Sequence, residues 1–239
     1  MPGELVSCLC VTRDRVPLLR RAVACFVAQT HPARELVVLF ESDDSATRDY
    51  LASVSDPRIR ALEVPARPKR SLGALRNLSV QAAAGRYLAQ WDDDDWYAPA
   101  RLASQLAALQ AGQRPACVLA RWILFDAVTG AAYLSARRNW EGSLLAEVVA
   151  LPAYADLSRR EDAPVLEQMA VEGKLVVLDQ PWLIVYTHHG NNTWERSHWR
   201  GLVQRAQPLT NDQAAQVRQL LATPPTAKNP CPGSPAPVA

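Results

Sequence analysis

The sequence predicts an α/β protein built on a doubly wound, mostly parallel sheet, followed by a mixed second half. Three observations predict it. As far as Trp91, short apolar runs alternate with segments of helical spacing. Two of the runs, Leu5 to Val11 and Leu36 to Phe40, read as strands covered on both faces. A run of four aspartates, Asp92 to Asp95, follows directly from the last of them.

The elements follow in order. Leu5 to Val11 reads as a strand, Thr12 to Arg15 as a polar turn and Leu18 to Gln29 as a helix. Leu36 to Phe40 is a second buried strand. Ala46 to Ser53 is a helix that Asp56-Pro57 terminates, and Arg58 to Val64 is a third strand. After the basic loop Pro65 to Arg70, Ser71 to Ala84 reads as a helix with Gly85 in the C′ position, and Tyr87 to Trp91 as a fourth strand. A β-α-β-α order implies a parallel sheet with helices on both faces. Ligands of such sheets bind beyond the carboxyl ends of the strands, so topology alone places the four aspartates in the crevice.

The second half does not repeat the pattern. Pro99 starts a helix through Ala111, and Cys117 to Phe125 reads as one strand. Asp126 to Gly130 is a turn into Ala131 to Ser135, predicting a hairpin. Asp162 to Glu172 is a helix ended by Gly173, Leu175 to Leu178 and Leu183 to Tyr186 are short strands, and Trp199 to Ala222 carries one or two helices. From Thr223 the chain is rich in proline and poor in large apolar residues, which predicts a disordered tail over 223–239.

With 239 residues, 49% of them hydrophobic, the chain is long enough for one substantial core, predicted as a single domain over 1–222. A net charge of +2 gives no global field for wrapping nucleic acid or coating an anionic membrane. The longest apolar runs fall far short of the roughly 20 residues that cross a bilayer. The N-terminus lacks a signal-peptide pattern, and the expected compartment is the cytosol. Five cysteines without a Cys-x-x-Cys pair indicate neither a disulfide framework nor a zinc knuckle; Cys8 and Cys10 share one face of a strand and are expected to be buried.

Four consecutive aspartates repel one another and persist at a strand end only where a cation neutralises them or water solvates them. Trp91, Trp96 and Tyr97 flank them, which argues against a purely solvated loop. Carboxylates suit hard cations, Mg²⁺ or Mn²⁺, that bridge to substrate phosphates. Arg67, Lys69 and Arg70 either steady phosphates or keep a loop soluble. Trp194, Trp199, Arg196 and Arg200 form an aromatic and basic cluster, open to three readings: peripheral membrane contact, an acceptor groove, or a packed helix edge.

Val6 to Thr12, then Ala28-Gln29-Thr30, then Arg76-Asn77 ahead of Gly85-Arg86-Tyr87, then Trp91 to Leu102 with its proline and Arg-Leu, occur in an order that resembles the inverting family 2 glycosyltransferases with the GT-A fold. The resemblance spans Val6 to Thr193 and implies that residues 1–99 form a nucleotide-sugar-binding half and 100–222 an acceptor-side half. It implies a nucleotide diphosphate donor, UDP-linked, with Thr12, Arg13, Arg76, Asn77, Asp92 and Asp93 around it and Asp94 as the direct metal ligand. One departure concerns the base-reading acid. Where the family carries Asp-Asp-Gly-Ser, this chain has Phe40 to Ser45, and Glu41 fits an ungapped match while Asp43 fits one shifted by two.

Glu161-Asp162 is similar to the family's Glu-Asp pair, which implies that Asp162 is the catalytic base; an ordinary acidic helix start is the competing reading. Relatives supply a late histidine to the metal, which implies His188 ahead of His189; adjacent residues of an extended chain do not face one ion together. The acceptor is expected to be a glycan or a lipid-linked sugar. A nucleotidyltransferase would use paired aspartates too, but Thr12 to Arg15 has no glycine-rich phosphate loop. A catalytically silent sugar-nucleotide-binding module is the non-enzyme alternative, against which both Asp94 and Asp162 are intact.

Overall fold

A computed structural model of the chain describes residues 4–190, 192 and 196–226. Strands β1 (Val6–Val11), β2 (Arg34–Glu41), β3 (Ile59–Val64) and β4 (Tyr87–Gln90) alternate with helices α1 (Val16–Val27), α2 (Ser45–Ala52) and α3 (Leu72–Ala82), as the pattern predicts. β1 lies parallel between β2 and β4, and β2 pairs in parallel with β3. The uninterrupted apolar strands are buried on both faces: Cys8, Cys10, Leu36 and Val38 pack with Leu19 and Phe26 of α1, while Leu9, Val37 and Leu88 face the opposite layer. Asp44 caps α2 by accepting from Thr47 N (3.0 Å), and Ser71 caps α3 by accepting from Ala74 N (3.1 Å).

Gly85 has a different role from the expected one. α3 ends at Ala82 with Ala83 as its C-cap, and Gly85 does not adopt the left-handed conformation. It is needed because a Cβ there would stand 2.6 Å from Leu5 O and 2.7 Å from Ser7 Oγ. Gly173, with φ +65°, does sit in the left-handed region just past α5 (Ala163–Val171), as predicted.

Beyond β4 come β5 (Trp96–Tyr97), α4 (Arg101–Ala111), β6 (Ala116–Leu119), β7 (Ile123–Asp126), β8 (Ala132–Leu134) and β9 (Trp140–Glu147). After α5 the chain forms β10 (Leu175–Leu178), β11 (Ile184–His188), α6 (Arg196–Gln204), β12 (Gln207–Pro208) and α7 (Asn211–Ala222). Two sheets result, in the orders β10-β6-β9-β4-β1-β2-β3 and β12-β8-β7-β11-β5.

The stretch expected as one strand from Cys117 to Phe125 is two, β6 and β7, in different sheets. Arg121 interrupts the apolar run and turns out to pair with Asp179 (2.8 Å), while Trp122 N donates to Ser135 Oγ (2.8 Å), so the chain changes sheet there. β7 and β8 form the predicted hairpin. β9 lies antiparallel between β4 and β6 and carries no strand signature, because Gly142 and Ser143 break its apolar run. It makes the first sheet mixed, and strands of both halves of the chain share that sheet. No helix among the described residues is long and apolar enough to cross a membrane. Most of the predicted tail, 227–239, and Trp194 lie outside the described residues.

Candidate active site

The four aspartates form the turn by which the chain leaves the first sheet at β4 and enters the second at β5, which pairs antiparallel with β11. Aromatic side chains fix this turn from below. Trp91 is fully buried and its Nε1 donates to Ala22 O (3.1 Å). The Tyr97 hydroxyl accepts from Asp92 N (2.7 Å) and donates to Asp92 O (3.1 Å). The rings of Trp91 and Tyr97 pack on each other (4.1 Å), and the guanidinium of Arg101 lies against both, 5.0 and 4.4 Å from their centroids.

With the backbone held, the carboxylates spread in four directions. Asp92 accepts from Arg76 Nη2 (2.9 Å) and Asp93 from Thr12 Oγ1 (2.6 Å) at the end of β1. Asp94 lies 3.3 Å from Arg15 Nη1 and 3.4 Å from His189 Nε2, and its carbonyl accepts from Arg21. Asp95 is buried and accepts from Thr187 N (3.4 Å). Burial first, and then the charge of Asp94, pushes the Asp93 carboxyl up to about 6; the same two causes in the same order raise Asp95 well above the ordinary range.

A cavity of about 450 Å³ opens over this turn. It is lined by Asp92 to Asp95, by Glu161 and Asp162, and by Trp122 and Trp140. Glu161 is buried, turned onto Arg76 Nε (2.7 Å), and its carboxyl is raised by burial against the opposing pull of Arg76. Asp162 is the N-cap residue of α5 but makes no capping hydrogen bond with its side chain. An ordinary N-cap carboxylate would accept from the first turn of its helix; this one borders the cavity instead.

The remaining predicted residues are distributed as follows. At the ends of β1 and β2, Arg13 donates to Asp43 (2.8 and 3.1 Å) and to Glu41, which also pairs with Lys69. Glu41 is 2% exposed and its Oε1 has no partner, whereas Asp43 is exposed. Asn77 is occupied by the main chain of Tyr154, donating to its O and accepting from its N (both 2.9 Å).

The order of the two histidines is the reverse of the expected one. His188 stacks on Trp199 of α6 (4.8 Å, 11°), and it is His189 that faces Asp94. That stack also makes Trp199 a buried residue at a packed helix edge. Arg15 and Arg21, which no motif marks, bring positive charge to the acidic turn from α1 and the loop before it. Their one signal is proximity in sequence to the end of β1.

The model of the family described as "Glycosyl transferase family 2" matches residues 7–147. The chain is 35% identical over 82 residues to the succinoglycan biosynthesis protein ExoO of Rhizobium meliloti (strain 1021), covering 34% of this chain and 23% of that one. It is 30% identical over 113 residues to the putative colanic acid biosynthesis glycosyl transferase WcaA of Escherichia coli (strain K12), covering 45% and 39%. It thus aligns with less than half the length of either relative.

Among solved structures, S. aureus TarS in complex with UDP-GlcNAc superposes with a TM-score of 0.62 at 12% identity, over 92% of this chain and 65% of that one. The mannosyltransferase PcManGT from Pyrobaculum calidifontis, in complex with GDP-Man and Mn²⁺, gives 0.59 at 16% identity, over 89% and 64%. The α/β fold with a mixed central sheet is that of the GT-A glycosyltransferases. With its family model covering more than half of its length, the chain belongs to glycosyl transferase family 2.

Proposed function

We propose that the chain is a metal-dependent, inverting glycosyltransferase that moves a sugar from a nucleotide diphosphate, UDP-linked, to an acceptor hydroxyl of a glycan or lipid-linked sugar. The observation that carries this is one cavity lined both by the acidic turn and by Asp162. A displacement with inversion needs both in one cavity, because the leaving diphosphate must be neutralised while the attacking hydroxyl loses its proton. The cytosol remains the compartment we infer, and surface polysaccharide or glycolipid assembly the setting, in keeping with the names of the two relatives. UDP-GlcNAc bound to TarS supports a UDP-sugar as donor.

The residues fit a hard divalent cation. Asp94 would hold it, with His189 alongside, and Asp92 and Asp93 would serve its waters and the ribose. Among the described residues no group of three or more His, Cys, Asp or Glu side chains is arranged to hold a metal. This matches a cation that takes one or two protein ligands and completes its shell with phosphate oxygens and water. The acidic turn has a use for such an ion, since Asp93 and Asp95 are pushed toward protonation by burial and by each other's neighbour Asp94. Mn²⁺ or Mg²⁺, when bound, would neutralise charge on the departing diphosphate.

The chain's own residues do the rest. Glu41 would accept a base N–H through its unpartnered buried Oε1, while Arg13 and Lys69 hold its other oxygen. Thr12 and Arg13 border the nucleotide at the end of β1. Asp162 accepts the proton of the attacking hydroxyl, and Trp122 and Trp140 give the same cavity an apolar lining.

A pair of variants tests this reading. Asp162→Asn keeps shape but cannot take a proton, so turnover of the donor should fall by roughly 10²-fold or more while UDP affinity in Mn²⁺ is unchanged. Asp94→Asn should abolish the metal dependence of UDP binding, read by calorimetry in Mn²⁺ and in EDTA. Normal turnover in Asp162→Asn removes that residue from the chemistry.

A further inference from the structure

The segment between β9 and α5 carries Glu161 and Asp162, yet from Leu151 to Asp162 it forms no helix or strand that would hold it. What holds it is one face of α3. Ser71 Oγ, at the N-cap, donates to Asp156. Gly73 N donates to Leu157 O (3.0 Å), and a Cβ at Gly73 would stand 1.7 Å from Ala155 O and 3.1 Å from Glu161 Cβ. Arg76 donates through Nε to Glu161 and through Nη2 to Asp92, and Asn77 holds the main chain of Tyr154 at both N and O. Positions 73, 76 and 77 are spaced i, i+3, i+4, a single helix face. Val80, one turn on, packs against the cluster containing Tyr154.

We propose that α3 is a rail for the segment that bears the catalytic base, and that Arg76 and Asn77 are positioning residues that act through this segment rather than through the donor. Arg76 is the link between the two segments: one guanidinium bridges the acidic turn at Asp92 and the base segment at Glu161. Buried between two acids, it fixes their separation and sets one positive charge against both. Arg160, directly before Glu161, has φ +60°, a conformation a non-glycine residue keeps only where its surroundings over-determine it. The anchors at 154 to 157 on one side and Glu161 on the other supply that constraint. Asp162 follows the last anchor and borders the cavity without any side-chain hydrogen bond to the helix it caps.

This proposal rests on Asp162 being the base, and its test separates the two claims. The full chain and its Arg76→Gln, Asp162→Asn and double variants are compared by amide hydrogen exchange, by UDP binding in Mn²⁺, and by UDP release from the UDP-sugar that best stabilises the chain, with water as acceptor. Arg76→Gln should speed exchange selectively across residues 154–161 and lower UDP release by about 10²-fold through misplacement of the base, while UDP affinity, touched only through the freed Asp92, falls far less than turnover. In the Asp162→Asn background the same change should cost nothing further, since a residue that acts only through another is silent once that other is gone.

Unchanged exchange in the segment, additive losses, or a UDP affinity that falls in step with turnover would each overturn the rail. Normal turnover of Asp162→Asn would overturn the base reading alone, and the exchange result would still judge the rail. Should Arg76→Gln not fold, Asn77→Ala removes two hydrogen bonds to Tyr154 without touching a carboxylate and must give the same pattern.

Discussion

At the scale of single residues, Glu35 shows how the far end of the sheet is locked. It is buried at the start of β2 and accepts from Ser7 Oγ (2.6 Å), Ala84 N (2.6 Å) and Arg60 Nη1 (2.9 Å), so one carboxylate joins β1, β3 and the turn into β4. Burial alone would raise its pKa, but the donors outweigh burial and hold it below the usual 4.5. A depressed folded pKa means stability that is fully present above the unfolded value and is lost as pH falls through the folded one. Glu35→Gln should therefore destabilise the chain by about 1–3 kcal/mol at neutral pH, by loss of charge-assisted hydrogen bonds. The gap in melting temperature between the parent and this variant should close in acid, below pH 4.5. A gap that is the same in acid as at neutral pH would show that the carboxylate charge is not what matters there.

Residue identity also explains what was and was not legible at the metal side of the site. The acidic turn announces itself, because four like charges at a strand end have few structural uses. That only one of two adjacent histidines faces the turn follows from the extended backbone. Which one does is decided by Trp199 of α6, whose ring covers the face that His188 occupies, and no local pattern around 188 and 189 encodes that contact. Asn77 reads in sequence like a donor contact, whereas its partner, Tyr154, lies 77 positions away on a segment without regular structure.

At the scale of elements, β1, β2 and β4 were legible because each is buried on both faces, β3 is an edge strand with only Val64 buried, and each helix between them has its own periodicity. β9 was not, and Gly142 is the reason on both counts: it breaks the apolar run in sequence and permits a close approach in space. A Cβ at Gly142 would stand 2.8 Å from Trp122 Cη2 and 3.3 Å from Asp92 Oδ2. Trp122 belongs to a ladder of rings, stacked on Trp140 (4.4 Å) and on Tyr186 (6.0 Å), which in turn stacks on Trp199 (6.1 Å). The ladder forms a rigid wall of the cavity, and glycine lets its edge rest on the main chain of β9. Gly142→Ala should cost about 1–3 kcal/mol by overpacking and change the near-ultraviolet circular dichroism of the stacked tryptophans. An unaltered melting temperature together with an unaltered spectrum would show that the wall yields freely.

At the scale of the whole molecule, the two sheets meet at the acidic turn, so the most charged segment of the chain is also the hinge point of its architecture. Burial of Trp91, Trp96 and Tyr97 fixes the turn that carries the four carboxylates, and Arg15, Arg21 and Arg76 offset only part of that charge. The proposed cation would offset the rest, shared between this turn and the diphosphate. The expected behaviour is therefore cooperative: Mn²⁺ alone and UDP in EDTA each shift the melting temperature little, while the two together shift it strongly. At a ligand concentration of about 100 times the dissociation constant the gain is about 2.7 kcal/mol, which corresponds to roughly 5–10 °C for a chain of this size. Replacing UDP by GDP asks in the same experiment whether Glu41 reads the base, since the two differ only there. Shifts of Mn²⁺ and UDP that merely add, or a UDP shift that survives EDTA, would mean that the acidic turn holds the diphosphate without a shared ion, and the proposed role of Asp94 would fall with it.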